Sequence, residues 1–444
     1  MIKKALELTA GYLTDIKTIA FRSRKIKELA IIITGNVLAL GGSILAVKLL
    51  TSWMEPELYG EIGLLLTICG FISCLFFGPV GQAISRYYLR YDSNNSLSRF
   101  FKAVIIYFIV GISFSLIVWV FWGIRETFLG KNEPRVIISL IILGLIFTLF
   151  STTSSWLNGV LAIRRQRKSV ALLQGISSWL RCGLAVLLFV LFSVSVPWCI
   201  SGYCLSLIIL TSVAIKCLGF KALGCTPGWS KQNVQNEIKL IAKYAWPYLI
   251  FGLFGWFQSS ADRWIIDFNF SRDKLGYYIL ATQLGAIAPL FLSSSLLSLV
   301  APYVFKDFDS KEDKQRNCFI WLRRCIALYL SGCIVFAVFV VIFGKQLVGI
   351  VADPSYAKAA SLWPYTLLVH TTFFLGQILA LTCSVNEKPK FLIPGKIVGG
   401  LVSVVAAFLG ARTLGINGVI LGMFSGAFVY MCMVTYAGFK ANQY

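Results

Sequence analysis

Twelve runs of roughly twenty apolar residues, each followed by a short polar turn, constrain what this 444-residue chain can fold into. The runs fall near 29–50, 61–85, 103–124, 136–160, 170–192, 197–218, 244–266, 275–300, 320–343, 361–383, 393–411 and 416–439. Each is long enough to cross an apolar layer of about 30 Å as a helix rising about 1.5 Å per residue. A helix also satisfies every backbone N–H and C=O inside that layer. The expected fold is therefore an all-α polytopic membrane protein with about twelve transmembrane helices.

Lysine and arginine are distributed by side. With the N-terminus cytoplasmic, thirty basic residues fall in the inner segments and ten in the outer connections, and Arg181 stands alone in mid-helix. The acids divide ten to nine. Basic residues alone orient membrane helices, so both termini are expected in the cytoplasm. The net charge of +22 then needs no nucleic-acid partner. Even the run Arg164-Arg165-Gln166-Arg167-Lys168 lies in a short inner turn, where it orients helices and meets lipid headgroups.

An internal repeat divides the chain. Residues 55–66 and 271–282 open the second and eighth spans in the same way, with Gly60 and Gly276 matching at an offset of 216 residues. The reading has four parts: a basic cytoplasmic segment over 1–28 with an interfacial helix, a six-helix lobe over 29–224, a cytoplasmic linker over 225–243 and a second six-helix lobe over 244–444. An even number of spans per half makes the lobes parallel repeats, related by a pseudo-twofold axis along the membrane normal.

Function has to reside among the helices, because no extramembrane segment exceeds about 28 residues. Nucleotide-cradling glycine loops, serine-histidine-acid arrangements and paired carboxylates are absent, which argues against an enzyme and leaves passive or ion-coupled transport. Twelve cysteines without a CxxC pair and a single histidine predict neither a metal site nor a cofactor.

Polar residues inside the spans nominate a site. Gln174, Ser177, Ser178 and Arg181 share one arc of the fifth span, and Arg181 sits about 16 Å from its inner end. A guanidinium there suits a phosphate or carboxylate, or else bonds carbonyls of a neighbouring helix. Ser259, Asp262 and Arg263 share an arc of the seventh span, as cavity lining or as a packing face with a local ion pair. Lys48 occupies the matching place in the first half, lining the cavity or snorkelling to the interface. Arg86 and Lys396 mark a cytoplasmic entrance or serve as orienting charges. His370 is a candidate for coupling to a proton gradient, or a packing residue. With no carboxylate expected in mid-span, the cavity reads as basic and its cargo as anionic.

Leu49-Leu50 through Pro56, Leu58, Tyr59 and Gly60, the Gly81 to Arg86 segment, the Asp262-Arg263 pair and Leu275-Gly276-Tyr277-Tyr278 resemble the polysaccharide-biosynthesis flippases. These are Wzx-type lipid-linked oligosaccharide translocases of the multidrug/oligosaccharidyl-lipid/polysaccharide exporter superfamily. The resemblance implies two six-helix lobes forming a V in a bacterial inner membrane. It implies flipping of undecaprenyl-pyrophosphate-linked oligosaccharide for O-antigen, capsule or exopolysaccharide synthesis, beside the polymerase and chain-length regulator of the pathway; the chain departs from the family in lacking a clear acidic coupling residue, so coupling to a proton or to a sodium gradient stays open. Arg181, Arg263 and Lys48 are the positions matched by location to the cationic cavity. The competing readings are a multidrug or lipid II exporter of the same superfamily, a membrane polymerase or ligase, and a scaffold that transports nothing.

Overall fold

Proline and glycine set many of the helix ends. In the computed structural model, α1 spans Ile33–Trp53, α2 Pro56–Ser93, α3 Leu97–Leu129, α4 Pro134–Ile163, α5 Arg167–Leu191 and α6 Val196–Leu218. The second half holds α7 Val234–Asn269, α8 Arg272–Leu297, α9 Ile320–Val351, α10 Ala359–Cys383, α11 Leu392–Leu414 and α12 Ile416–Lys440. Prolines open α2, α4 and α6, where the missing N–H is not needed. Left-handed glycines at 130, 219 and 415 end α3, α6 and α11. The α4–α5 turn is tighter, and Arg165 itself takes a left-handed φ of 59°, a conformation costing a non-glycine residue about 1 kcal/mol or more.

The structure describes residues 31, 33–94, 96–130, 133–219, 231–309, 314–385 and 389–443, without the side chains of 231–233, 298–309, 314–319, 384, 385, 389 and 441–443. The expected segment 1–28 and linker residues 225–230 lie outside the described residues. Residues 231–243, read as linker, instead begin the helix Lys231–Asn269. Polar turns there extend the helix beyond its apolar run.

The two halves repeat the same pairings. Helices α2 and α4, α3 and α4, α4 and α6, and α5 and α6 pack together, as do their counterparts α8 and α10, α9 and α10, α10 and α12, and α11 and α12. Helix α1 packs on α5, with Trp179 Nε1 donating to the Leu38 carbonyl at 2.8 Å, just as α7 packs on α11. Two lobes of parallel sense follow.

They meet where α2 crosses α8. A Cβ on Gly60 would stand 2.8 Å from the Arg272 carbonyl oxygen and 3.0 Å from the Gly276 nitrogen. Symmetry-matched residues that touch each other lie beside the axis relating them, so this crossing marks the pseudo-twofold. Helix α2 is also divided internally by a π-helical turn, Ser73–Phe77, ahead of Gly78-Pro79. Its first half packs chiefly on α8 and its second half on α7 and α4. The side carrying the α1–α2 and α7–α8 connections is here termed the sparse face, and the opposite side, with Arg86, Arg164 and Arg167, the basic face.

Candidate substrate cavity and its closure

At the sparse face a buried ion cluster joins the lobes. Arg272 of α8 donates to Glu126 of α3 and lies 3.1 Å from Glu61 of α2. Arg125 donates to Asp267 of α7 at 2.5 Å and to Glu126 at 2.7 Å. Glu61, Glu126, Asp267 and Arg272 are buried, so each carboxylate would cost several kcal/mol if left unpaired. Two arginines bridging three carboxylates offset that cost. Beside the cluster, Tyr356 donates to the Met54 carbonyl at 2.9 Å and the Asp353 N–H to Thr51 Oγ1 at 3.2 Å.

Lys48 belongs to this closure and not to a cavity, which corrects the expectation for it. Its ammonium donates to the Ala352 carbonyl at 3.0 Å and sits 3.5 Å from that of Gly349. Carbonyls at the end of a helix carry partial negative charge that draws a cation.

A cavity lies in the first lobe. A chamber of about 440 Å³ between α4, α5 and α6 is lined by Ser151, Ser154, Asn158, Gln174, Ser177 and Arg181, among others. It reaches Ala162, beside the basic-face turn of α4 and α5. A second chamber, of about 330 Å³ between α2 and α4, shares Ser151, Ser155 and Gly159 with the first. Neither chamber is lined by a carboxylate. Arg181 Nε is 3.4 Å from the Ser177 carbonyl, a long contact, and the guanidinium has no carboxylate partner among the described residues. Asn158 Oδ1 is buried without a partner among the described residues. Gln174 and Arg181 thus come together, whereas Ser178 turns toward α1, its Oγ 3.2 Å from that of Ser43.

The seventh-span residues form a different site. Gln258, Ser259, Asp262, Arg263 and His370 line a pocket of about 150 Å³ in the second lobe, together with residues of α8. The expected local pair between Asp262 and Arg263 is not made among the described residues. Asp262 accepts from Tyr278 at 2.5 Å, and among the described residues neither its Oδ1 nor Arg263 Nε has a partner. Arg263 therefore does not share a cavity with Arg181. Asp262 stands seven residues before the end of α7 and is buried, at 4 % exposed.

Lys396 is corrected as well: it is 2 % exposed and forms no entrance. Its ammonium donates to Gln258 Oε1 at 3.1 Å and lies 4.1, 4.7 and 5.1 Å from the ring centroids of Tyr430, Phe373 and Phe251. The negative faces of three rings replace the water it gives up. Arg86 stays exposed at the basic-face end of α2.

Sequence reasoning missed the ion cluster and the second chamber. A signal for the cluster existed, because Glu61 follows the matched Gly60 inside an otherwise apolar run. For the chamber there was none, since Gln82, Ser85 and Trp156 are spread over two spans.

A family model described as "Polysaccharide biosynthesis protein" matches residues 26–308. No curated protein matches the chain in sequence. Among solved structures, a mutant of the Vibrio cholerae MATE transporter VcmN superposes with a TM-score of 0.67 at 12% identity, over 96% of this chain and 98% of that one. An inward-facing multidrug resistance MATE family transporter of the MOP superfamily gives 0.66 at 13% identity, over 93% and 95%. An outward-facing one gives 0.62 at 14% identity, over 94% and 95%. The fold is that of this superfamily.

Proposed function

The chain belongs to the polysaccharide biosynthesis protein family, and from that premise we propose that it flips undecaprenyl-pyrophosphate-linked oligosaccharide repeat units from the cytoplasmic to the outer leaflet of the inner membrane. The units serve O-antigen, capsule or exopolysaccharide synthesis. The basic face is cytoplasmic in this reading, and no covalent bond changes.

The observation that carries it is the first-lobe cavity. Its hydroxyls and amides surround one guanidinium and no carboxylate. Carrying a diphosphate and several sugars through hydrocarbon is prohibitive, since even one unpaired charge costs several kcal/mol. A wall of serines, Asn158, Gln174 and Arg181 supplies hydrogen bonds in place of water. Closure of the sparse face by the Arg272 cluster, with the cavity extending toward the basic face, fits a carrier waiting for cargo on the cytoplasmic side. The 150 Å³ pocket with Asp262 and His370 is where a proton or sodium gradient would act in this reading.

The test is complementation of a strain lacking its own flippase, with wild type, Arg181→Ala and Arg181→Lys at matched expression. Restored surface polysaccharide with wild type, lost in both variants, supports an anion site that needs a guanidinium. Failure of the wild type in its cognate background removes the flippase reading and favours a multidrug exporter of the same fold.

A further inference from the structure

We propose that the second chamber, between α2 and α4, is a saccharide subsite in which a neutral sugar ring stacks on Trp156, beside but distinct from the anion site at Arg181. This rests on the flippase reading. No charged side chain lines the chamber, so it offers nothing to a phosphate, nor to the cationic centre of a drug. Its polar groups, from Ser73, Gln82, Ser85 and Thr152, are equally wrong for a polyprenyl tail. What remains suited to it is a molecule that is neutral, rich in hydroxyls and apolar on one face.

The polar groups are unengaged. Gln82 and Ser85 are exposed and hydrogen-bond to nothing among the described residues. Thr152 is 4 % exposed, and its Oγ1 has no partner among the described residues, a state that costs about 1–3 kcal/mol.

The aromatic wall is held rigidly. Trp156 Nε1 donates to the Phe77 carbonyl at 3.1 Å, where α2 leaves its π turn. Gly81 backs the indole so closely that a Cβ there would stand 3.0 Å from Cδ1 and Nε1. The rings of Phe77 and Phe108 lie 6.0 and 5.6 Å away. A ring so pinned loses little freedom on binding. Its negative face attracts the polarised C–H bonds on the apolar side of a sugar. The chamber's 330 Å³ falls within the range of about 300–1,000 Å³ usual for small-ligand sites. Shared walls at Ser151 and Ser155 set the sugar next to Arg181, as a sugar attached to a diphosphate requires.

The test is equilibrium binding to the purified full chain in detergent, using undecaprenyl diphosphate and the same lipid bearing one N-acetylglucosamine. Wild type is expected to bind the sugar-bearing probe about tenfold more tightly. Trp156→Ala should abolish that difference without weakening binding of the bare diphosphate, and Trp156→Phe should keep most of it. Arg181→Ala should weaken both probes equally. Should Trp156→Ala fail to fold, the exposed pair Gln82→Ala with Ser85→Ala decides, and it too should lose the difference. Equal wild-type affinities, or a difference that survives these substitutions, would overturn the subsite and leave the flippase reading standing. Binding of neither probe by wild type overturns both.

Discussion

Arg272 of α8 and Glu126 of α3 are paired across the lobe boundary, 146 residues apart in the chain and both buried. With Glu61, Asp267 and Arg125 they place five charges where the lobes must part if the sparse face is to open. Such a cluster holds while every member is present and fails sharply when one is removed.

Arg272→Ala is expected to take one partner from each of three carboxylates, Glu61, Glu126 and Asp267, and to cost the closed state about 3–5 kcal/mol. Arg272→Lys should fall between, because a point charge cannot serve Glu61 and Glu126 as a planar fork does. The measurement is labelling of a cysteine placed at Gln283, in a background without other cysteines, by a membrane-impermeant maleimide. Labelling should quicken several-fold, and an unchanged rate would mean that the cluster does not lock the face.

Gly60 and Gly276 leave no room at the axis. Gly60→Ala sets a Cβ against the Arg272 carbonyl at 2.8 Å, and backbone cannot retreat as a flexible side chain does. The expected cost is about 1–3 kcal/mol, read as a lower Tm of the purified protein. Gly255→Ala is the control, since nothing lies within 4 Å of a Cβ there, and its Tm should not move by more than about a degree.

Lys396 tests whether a buried ammonium is there for stability. It has one hydrogen-bond acceptor, Gln258, and three rings around it. Lys396→Met keeps the volume and removes the desolvation cost, so Tm should equal or exceed that of wild type. A folded Lys396→Met protein that no longer restores surface polysaccharide would assign the charge to transport. A fall in Tm of several degrees would show instead that the aromatic box more than repays burial.

Gly159 divides the two chambers, and a Cβ there would lie 3.7 Å from Ser85 Oγ. Gly159→Leu should fill the passage, leaving folding intact and cutting restored polysaccharide by at least tenfold. Polysaccharide at the wild-type level would show that cargo does not pass between α2 and α4.

Much of the fold was legible because a membrane helix is written locally. Twenty apolar residues are enough, and each expected span has its helix, from Ile33–Trp53 to Ile416–Lys440. The match of Gly60 with Gly276 was legible too, although only the structure shows the two touching. The site was less so, for a reason Lys48 and Lys396 share. Angular position on a helix tells which residues point one way, but not whether a neighbour's loose carbonyls or aromatic faces claim them first. Arg181 and Gln174 stayed on the cavity because, among the described residues, no side chain of α4 or α6 hydrogen-bonds or ion-pairs with them. Arg263 shows the remaining limit: its arc was read correctly, while the lobe it faces depended on how α7 and α8 pack.

The π turn in α2 makes one helix answer to two neighbours. Above Ser73 the helix is seated against α8, and below Phe77 it forms the wall that holds Trp156. One continuous helix therefore joins the Arg272 cluster, through Glu61, to the chamber wall, and its hydrogen-bond pattern changes between them at residues 73–77. The contact that joins the lobes and the wall that faces the chamber are thus two ends of a single helix, set on different neighbours by one turn.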